Sequence, residues 1–153
     1  MQNIKKVLIT VDSRIENLDA HGLAEGETEK SRIEAVGDLR FSEDGAVTLS
    51  YTEKTEGGAV CSDIEFSGDE IRVARRGAVH ADMLFREGIT HRGLYKVPPF
   101  SFDMEILATR VRTDISQDSG EADIIYSMTI GGANKKTRMR ISYRKTGDGN
   151  AEP

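Results

Sequence analysis

Side chains capable of acid, base or nucleophilic chemistry are few in this sequence and scattered along it. Cys61 is the single cysteine, and its neighbours Ser62 and Asp63 include no histidine, whereas a nucleophile needs a base held beside it. Asp103 and Glu105 fall on the polar side of an alternating segment, where solvated carboxyl groups make poor general acids. The sequence therefore assigns no catalytic residues, and an enzyme is the least favoured of three interpretations.

Metal and cofactor chemistry has equally little support. His21 lies in an acidic, glycine-containing segment with Asp19, Glu25 and Glu27, but this spacing matches no metal site of known geometry. We interpret the segment as a solvated loop and predict neither a metal nor a cofactor. The lone Cys61 excludes an internal disulfide and a cysteine-rich zinc site, and it is compatible with a reducing compartment.

The elements that would position any site are indicated by a two-residue alternation of apolar and polar side chains. In residues 100–106 the apolar face holds Phe100, Phe102, Met104 and Ile106. The same period recurs in residues 122–130 and 137–143, and it is typical of half-buried strands. Short turns rich in Gly, Asn and Asp separate the segments, so successive strands are expected to be antiparallel neighbours. The first of about ten strands is predicted near residues 4–15.

A sheet of this many strands curls, and closing it removes the unpaired edges. The sequence thus predicts an all-β, antiparallel up-and-down barrel of about eight to ten strands in one domain over residues 1–145, with a disordered tail over residues 146–153. A two-sheet sandwich would need longer crossovers, and only residues 17–28 form a long connection. The conformations of that loop and of the turn at residues 97–100 stay open.

Charge divides the chain into unequal halves. Residues 1–70 carry a net charge of −9 and residues 71–153 a net charge of +4. The basic excess of the second half would form one stripe if its strands were neighbours; it comprises Arg72, Arg75, Arg76, Lys135, Lys136, Arg138, Arg140, Arg144 and Lys145. Aromatic residues do not interleave with these cations, so a nucleic-acid partner is not favoured. The sequence contains no apolar run long enough to span a bilayer and no signal peptide, and this predicts a cytoplasmic protein without a membrane partner.

The alternation along the strands predicts which side chains point into the barrel, where a ligand would bind. These inward side chains are mostly aromatic residues and methionines, namely Tyr51, Met83, Phe85, Tyr95, Phe102, Met104, Tyr126, Met128, Met139 and Tyr143. Arg75 is two residues from Val73, and His91 is four residues from Tyr95. Residues at these spacings point to the same side of a strand, so Arg75 and His91 are both predicted to point inward. A buried arginine needs a carboxylate or phosphate partner. The candidate binding residues for a small amphipathic or anionic molecule are therefore Arg75, His91, Tyr95, Tyr51, Tyr126 and Tyr143, although the same residues also suit a filled core.

Several stretches resemble a known family. They are Ile71-Arg-Val-Ala-Arg-Arg-Gly-Ala-Val79, Met83-Leu-Phe85 with Glu87-Gly88, Tyr95-Lys96, and the segment from Asp118 to Ile130 with Gly120 and Tyr126. Gly37, Asp44-Gly45 and Leu49-Ser-Tyr51 match more loosely. The order and spacing of these stretches resemble the YwiB-like family of uncharacterised bacterial proteins. This resemblance implies a calycin-like, lipocalin-type barrel in the bacterial cytoplasm and carries over no catalytic residues.

Two main interpretations remain. The first is a barrel that binds a small ligand in its interior. The alternative is a non-catalytic interaction or structural module with a filled barrel, acting through its outer basic face or through self-association, as a monomer or a homodimer.

Overall fold

The computed structural model describes residues 3–146, and within them it contains ten β-strands and no helix. The strands are β1 (Asn3–Leu18), β2 (Glu29–Phe41), β3 (Val47–Thr55), β4 (Gly58–Ser67), β5 (Glu70–Gly77), β6 (His80–Arg86), β7 (Thr90–Val97), β8 (Phe100–Ile115), β9 (Ser119–Ile130) and β10 (Ala133–Lys145). The predicted all-β class and number of strands are confirmed.

Every strand pairs antiparallel with the next one along the chain, and β1 also pairs with β10. The closing ladder runs from Val7 opposite Lys145 to Leu18 opposite Asn134. Pairing of the first strand with the last removes the two free edge strands that an open sheet would have, which is the physical advantage of a barrel. The up-and-down closed barrel is therefore confirmed, and the sandwich is excluded.

The side chains of the core come from the apolar faces of the alternating strands. Ile9, Leu39, Phe85, Ile106 and Ile124 are each at most 1% exposed, and they come from strands on all sides of the barrel. Burying such a side chain stabilises the fold by about 1.5 to 3 kcal/mol. These side chains belong to one continuous apolar cluster inside the barrel.

The connections differ in detail from the sequence-based expectation. β1 is longer than predicted and includes residues 16–18. An isolated β-bridge between Leu18 and Ala24 holds together the two ends of the first part of the loop that follows. The turn after β7 contains a cis peptide between Pro98 and Pro99, and Val97 pairs with Phe100 across it. The predicted disordered tail lies outside the described residues except for Thr146.

The backbone pairing between neighbouring strands is interrupted in two places. β2 and β3 are paired only where residues 38–41 face residues 47–50, so the two strands separate beyond Gly37 and Tyr51. A Cβ at Gly37 would collide with the carbonyl oxygen of Ser50, which shows how closely the backbones approach at this branch point. β6 and β7 share only the pairs His80 with Lys96 and Ala81 with Tyr95.

One interior assignment is wrong. Phe102 shares its face with the buried Met104, as predicted, but it is 40% exposed, and Phe100 is 62% exposed. Both lie at the start of β8, where the staggered strands leave the barrel end without an opposing layer. The ring of Phe102 covers the turn at Gly131 instead.

Candidate functional site

A row of inward side chains crosses five strands at one level of the barrel. Tyr51 on β3 is opposite Ser62 on β4, Ser62 is opposite Arg75 on β5, Arg75 is opposite Ala81 on β6, and Ala81 is opposite Tyr95 on β7. Directly opposite residues point to the same side of a sheet, and Ser62 and Ala81 are almost completely buried. The structure therefore places Arg75 on the interior face.

The Nε atom of Arg75 is shielded from solvent and has no hydrogen-bond partner. A guanidinium group carries five N–H donors and no acceptor. Nearly all buried polar groups in proteins have a partner, because an unsatisfied one forfeits its interaction with water. This orphaned donor is the most unusual feature of the barrel interior.

Two tyrosines share the environment of Arg75. Burial raises the pKa of Tyr51, while the charge of Arg75 and a hydrogen bond with Ser62 oppose that shift. Burial likewise raises the pKa of Tyr126, opposed by a hydrogen bond with Thr137 and by the charge of Arg75. Both hydroxyl groups are thus neutral donors near a cation.

Tyr126 and Tyr95 complete this region. Tyr95 is close enough to Tyr126 for its charge to act on the Tyr126 hydroxyl, and this interaction raises the pKa of Tyr126. The ring of Tyr126 packs on Phe85 with ring centroids 4.7 Å apart and an interplanar angle of 56°. Four of the six predicted candidates, Arg75, Tyr51, Tyr95 and Tyr126, thus belong to one region, which we call the Arg75 site.

His91 lies beside this region but is engaged with the backbone. Its Nε2 is 2.9 Å from the carbonyl oxygen of Asp82, so the ring nitrogen donates a hydrogen bond across the gap between β6 and β7. No carboxylate side chain orients the ring among the hydrogen bonds of the described residues. The ring therefore lacks the carboxylate that commonly orients a histidine acting as a base.

Tyr143 lies elsewhere. Its hydroxyl donates a hydrogen bond of 2.5 Å to the carbonyl oxygen of Ser116, in the connection between β8 and β9. Its ring packs on Gly120, which is its register partner on β9. Burial raises the pKa of Tyr143 to about 12. The prediction that Tyr143 joins the interior site is not supported by its placement, because it covers the end of the barrel opposite the Arg75 site.

The expected basic stripe does not form, and the reason is the barrel topology. β5 and β10 are separated by four strands along either side of the ring, so Arg72 and Arg76 lie on the wall opposite Arg138 and Arg140. Arg75, between the first two, points inward. Arg72 pairs with Glu70, and Arg76 donates a hydrogen bond of 2.8 Å to Asp63.

A different charged cluster surrounds β10. Asp123 on β9 accepts two hydrogen bonds of 3.2 Å from Arg138 and lies within 4 Å of Arg110 and Arg140. The hydrogen bond from Arg138 is the main cause that holds the pKa of Asp123 below its usual value. Three arginines thus share one carboxylate.

Within residues 3–146, no three histidine, cysteine or carboxylate side chains converge in a way that would hold a metal ion. Cys61 is exposed, with its sulfur 3.5 Å from the Thr52 hydroxyl. None of the described residues forms a helix that is long and apolar enough to cross a membrane.

Fold and site together define a closed, ten-stranded up-and-down β-barrel with a cation and several hydroxyl groups in its interior. A family model described as a domain of unknown function, DUF1934, matches residues 17–141. The chain belongs to this family, which confirms the family resemblance of the sequence.

Two comparisons connect the chain with one relative. It is 28% identical over 98 residues to the uncharacterized β-barrel protein YwiB of Bacillus subtilis strain 168, covering 63% of this chain and 69% of the relative. The crystal structure of the YwiB protein from Bacillus subtilis superposes with a TM-score of 0.82 at 24% identity, covering 94% of this chain and 93% of the other. That likeness supports the barrel fold, whereas a relationship to calycins and lipocalins stays a prediction.

Some residues of the interior were not singled out from the sequence. Ser62 and Thr137 are each 2% exposed and are the buried polar partners of Tyr51 and Tyr126. The sequence signal that identifies Ser62 and Thr137 is a hydroxyl residue at an otherwise apolar position of an alternating strand.

Proposed function

We propose that this protein is a non-catalytic barrel that binds a small anionic molecule with an apolar part, held by Arg75 at one level of the interior. The observation that carries the proposal is the buried Nε of Arg75 without a hydrogen-bond partner. A carboxylate or phosphate oxygen is the acceptor that a guanidinium group binds best. The ligand would therefore satisfy a donor that the chain itself leaves unsatisfied.

The surroundings of Arg75 favour an amphipathic ligand over a bare ion. Tyr51 and Tyr126 offer neutral hydroxyl groups near the cation, and each of these residues is 7% exposed. Val73, two residues before Arg75 on β5, and Met83, opposite Val73 on β6, are buried and apolar. Binding sites for small molecules commonly combine a mostly apolar lining with a few such polar groups.

We propose that the ligand enters through the wall between β2 and β3. The two backbones separate beyond Gly37 and Tyr51, so Tyr51 lies where their pairing ends. Ile33 and Ala35, on the part of β2 that pairs with β1 but not with β3, are only partly buried although they pack on the core. A ligand entering here would meet Tyr51 first and Arg75 next.

All residues of the proposed site come from one chain, so a monomer or a homodimer would be equally competent. We place the function in the cytoplasm, where the exposed thiol of Cys61 would stay reduced. An interaction module with a filled barrel is the alternative function.

The test uses a probe with the required chemistry, 8-anilinonaphthalene-1-sulfonate, which joins an anionic sulfonate to aromatic rings. We expect saturable binding by the native protein and at least tenfold weaker binding by Arg75→Met, because the substitution keeps the apolar stem and removes the charge. Fluorescence titration measures both affinities. Native mass spectrometry of protein purified gently from its host examines the same site for a molecule that leaves on denaturation.

Arg76→Met is the matched control. Arg76 is the next residue, points to the outside and pairs with Asp63, so its removal changes the net charge equally without touching the interior. Affinity should then stay within about twofold of the native value. Equal binding by Arg75→Met and the native protein, or no binding together with a ligand-free native mass, would overturn the proposal.

A further inference from the structure

Cationic side chains are concentrated on the outer face where β10, β1 and β2 meet. In one row Arg138 is opposite Arg14, and Arg14 is opposite Lys30. In the adjacent row Arg140 is opposite Asp12, and Asp12 is opposite Arg32. The two rows place five cations and one carboxylate on three neighbouring strands of a chain whose net charge is −5. We call this group the β1 cation cluster.

The first row is unfavourable for the folded protein by itself. Like charges directly opposite each other on neighbouring strands repel and lower stability. Arg14 stands between two cations, and neither Arg14 nor Lys30 makes a side-chain hydrogen bond or an ion pair with any residue between positions 3 and 146. Asp123 partly compensates Arg138, whereas Arg14 and Lys30 have no carboxylate partner among the described residues.

The second row is only partly neutralised. Arg32 lies 3.5 Å from Asp12 and 3.7 Å from Glu34, and all three side chains are exposed. Arg140 shares the more distant Asp123 with Arg138. The five cations of the two rows have three carboxylate partners, Asp12, Glu34 and Asp123, so the net charge of the cluster stays positive.

The residues of the β1 cation cluster line a depression on the surface. A depression of about 500 Å³ is lined by Asp12, Ser13, Arg14, Lys30, Ser31, Arg32, Arg138 and Arg140. Two strand intervals of about 4.8 Å separate β10 from β2, so cations along one row are spaced closely enough to reach adjacent anionic groups of a single ligand. The lining includes no aromatic side chain.

We propose that the β1 cation cluster binds closely spaced phosphate groups. Four of its five cations are arginines, whose planar guanidinium groups match phosphate oxygens in a bidentate manner. A protein partner is less well suited, because protein interfaces depend on buried aromatic and apolar anchors, which the lining lacks. Linked phosphates occur both in a short polyphosphate chain and in the backbone of a nucleic acid, and the experiment below distinguishes these two sources.

This site is independent of the Arg75 site. The β1 cation cluster lies on the outer face, whereas Arg75 points into the interior from β5, on the opposite side of the ring. Substitutions in one region leave the other untouched. Failure of either proposal can therefore be recognised separately.

The experiment measures binding of inorganic tripolyphosphate by calorimetry and of a fluorescent 20-nucleotide RNA by anisotropy, both at low salt. We expect the Arg14→Ser/Lys30→Ser variant to bind both probes at least tenfold more weakly than the native protein. The slope of log affinity for RNA against log salt should fall in magnitude by about one for each cation that contacts a phosphate. Asp123→Asn should bind more tightly, because it removes the carboxylate that holds Arg138.

The matched control is Arg72→Ser/Arg76→Ser, which loses the same two charges from the opposite wall. It should bind within about twofold of the native protein. Thermal unfolding of all variants establishes that each one folds.

Displacement of the RNA by tripolyphosphate would support a free phosphate chain as the ligand, and RNA binding that resists displacement would support a nucleic-acid backbone. The proposal is overturned if neither probe binds, if both double variants weaken binding equally, or if polyglutamate binds as tightly as tripolyphosphate.

Discussion

At the scale of single residues, glycine and tyrosine form a matched pair at one end of the barrel. A Cβ at Gly120 would lie within 2.8 Å of three atoms of the Tyr143 side chain, so the ring fills the space that glycine leaves on the neighbouring strand. An aromatic residue covering a cross-strand glycine is a known way to protect the backbone there. Tyr143 also holds the β8–β9 connection through its bond to Ser116.

The buried phenol of Tyr143 makes stability depend on pH on the alkaline side. Burial raises its pKa from 10.0 to about 12, so unfolding releases its proton more readily and stability falls as the pH rises from about 10 to about 12. Below pH 10 the phenol is neutral in both states and contributes no slope. Urea unfolding followed by circular dichroism between pH 8 and 11 should show a smaller alkaline loss for Tyr143→Phe than for the native protein.

The same variant has an expected effect at neutral pH. Losing the bond to Ser116 should lower the free energy of unfolding by about 0.5 to 1.5 kcal/mol. The Tyr143→Phe variant should keep part of the alkaline slope, because burial also raises the pKa of Tyr51 and Tyr126. Identical slopes for the variant and the native protein would show that Tyr143 titrates alike in both states.

At the scale of elements, the weak point is the contact between β6 and β7. Two paired positions join these strands, whereas β8 and β9 pair along most of their length. The His91 side chain bonds the carbonyl oxygen of Asp82 where the ladder is interrupted. A side chain thus replaces a missing backbone partner.

Substitution of His91 should loosen this contact locally. We expect His91→Ala to raise amide hydrogen exchange in residues 80–97 by about fivefold, which corresponds to about 1 kcal/mol for one lost hydrogen bond. Exchange in β1 and β10 should not change. Mass spectrometry of proteolytic fragments gives both values.

His80→Ala serves as the control, since His80 is an exposed residue at the start of β6. If His91→Ala and His80→Ala exchange at the same rate in this region, the bond to Asp82 contributes nothing to the closure of the wall.

At the scale of the whole molecule, β1 and β6 lie on opposite sides of a ring closed by β1 and β10. One continuous core links them, and it includes Ile9, which is 1% exposed, and Phe85, which is fully buried. A ring with one core has no boundary at which it could divide into separately folding parts.

We therefore expect one cooperative unfolding transition. Ile9→Ala should lower the free energy of unfolding by about 2 to 5 kcal/mol and Phe85→Ala by about 3 to 5 kcal/mol, because each leaves a cavity in the core. Both should shift the same urea transition, seen alike by circular dichroism and by tyrosine fluorescence, with an unchanged m value. Exposed Ile4→Ala is the control and should have little effect. Separate transitions for the two core variants would contradict a single unit.

Local patterns in the sequence were sufficient to predict the strands and their faces. The alternation in residues 100–106 identified Met104 and Ile106 as inward residues, because a strand repeats every two residues wherever it lies. Short turns predicted which strands are neighbours. Parity also predicted that Arg75 points inward, and the matching stretches identified the family.

The tertiary structure alone decided which distant residues meet. Arg14 and Arg138 are cross-strand neighbours only because β1 closes the ring onto β10. The β1 cation cluster could not be recognised from the sequence, because the first 70 residues have a negative net charge. The same closure put Arg72 far from Arg138, and the stagger of the strands exposed Phe102. The missing partner of the Arg75 Nε is likewise a property of packing. Strand periodicity depends on neighbours in sequence, whereas ring closure, stagger and the satisfaction of buried donors depend on all strands together.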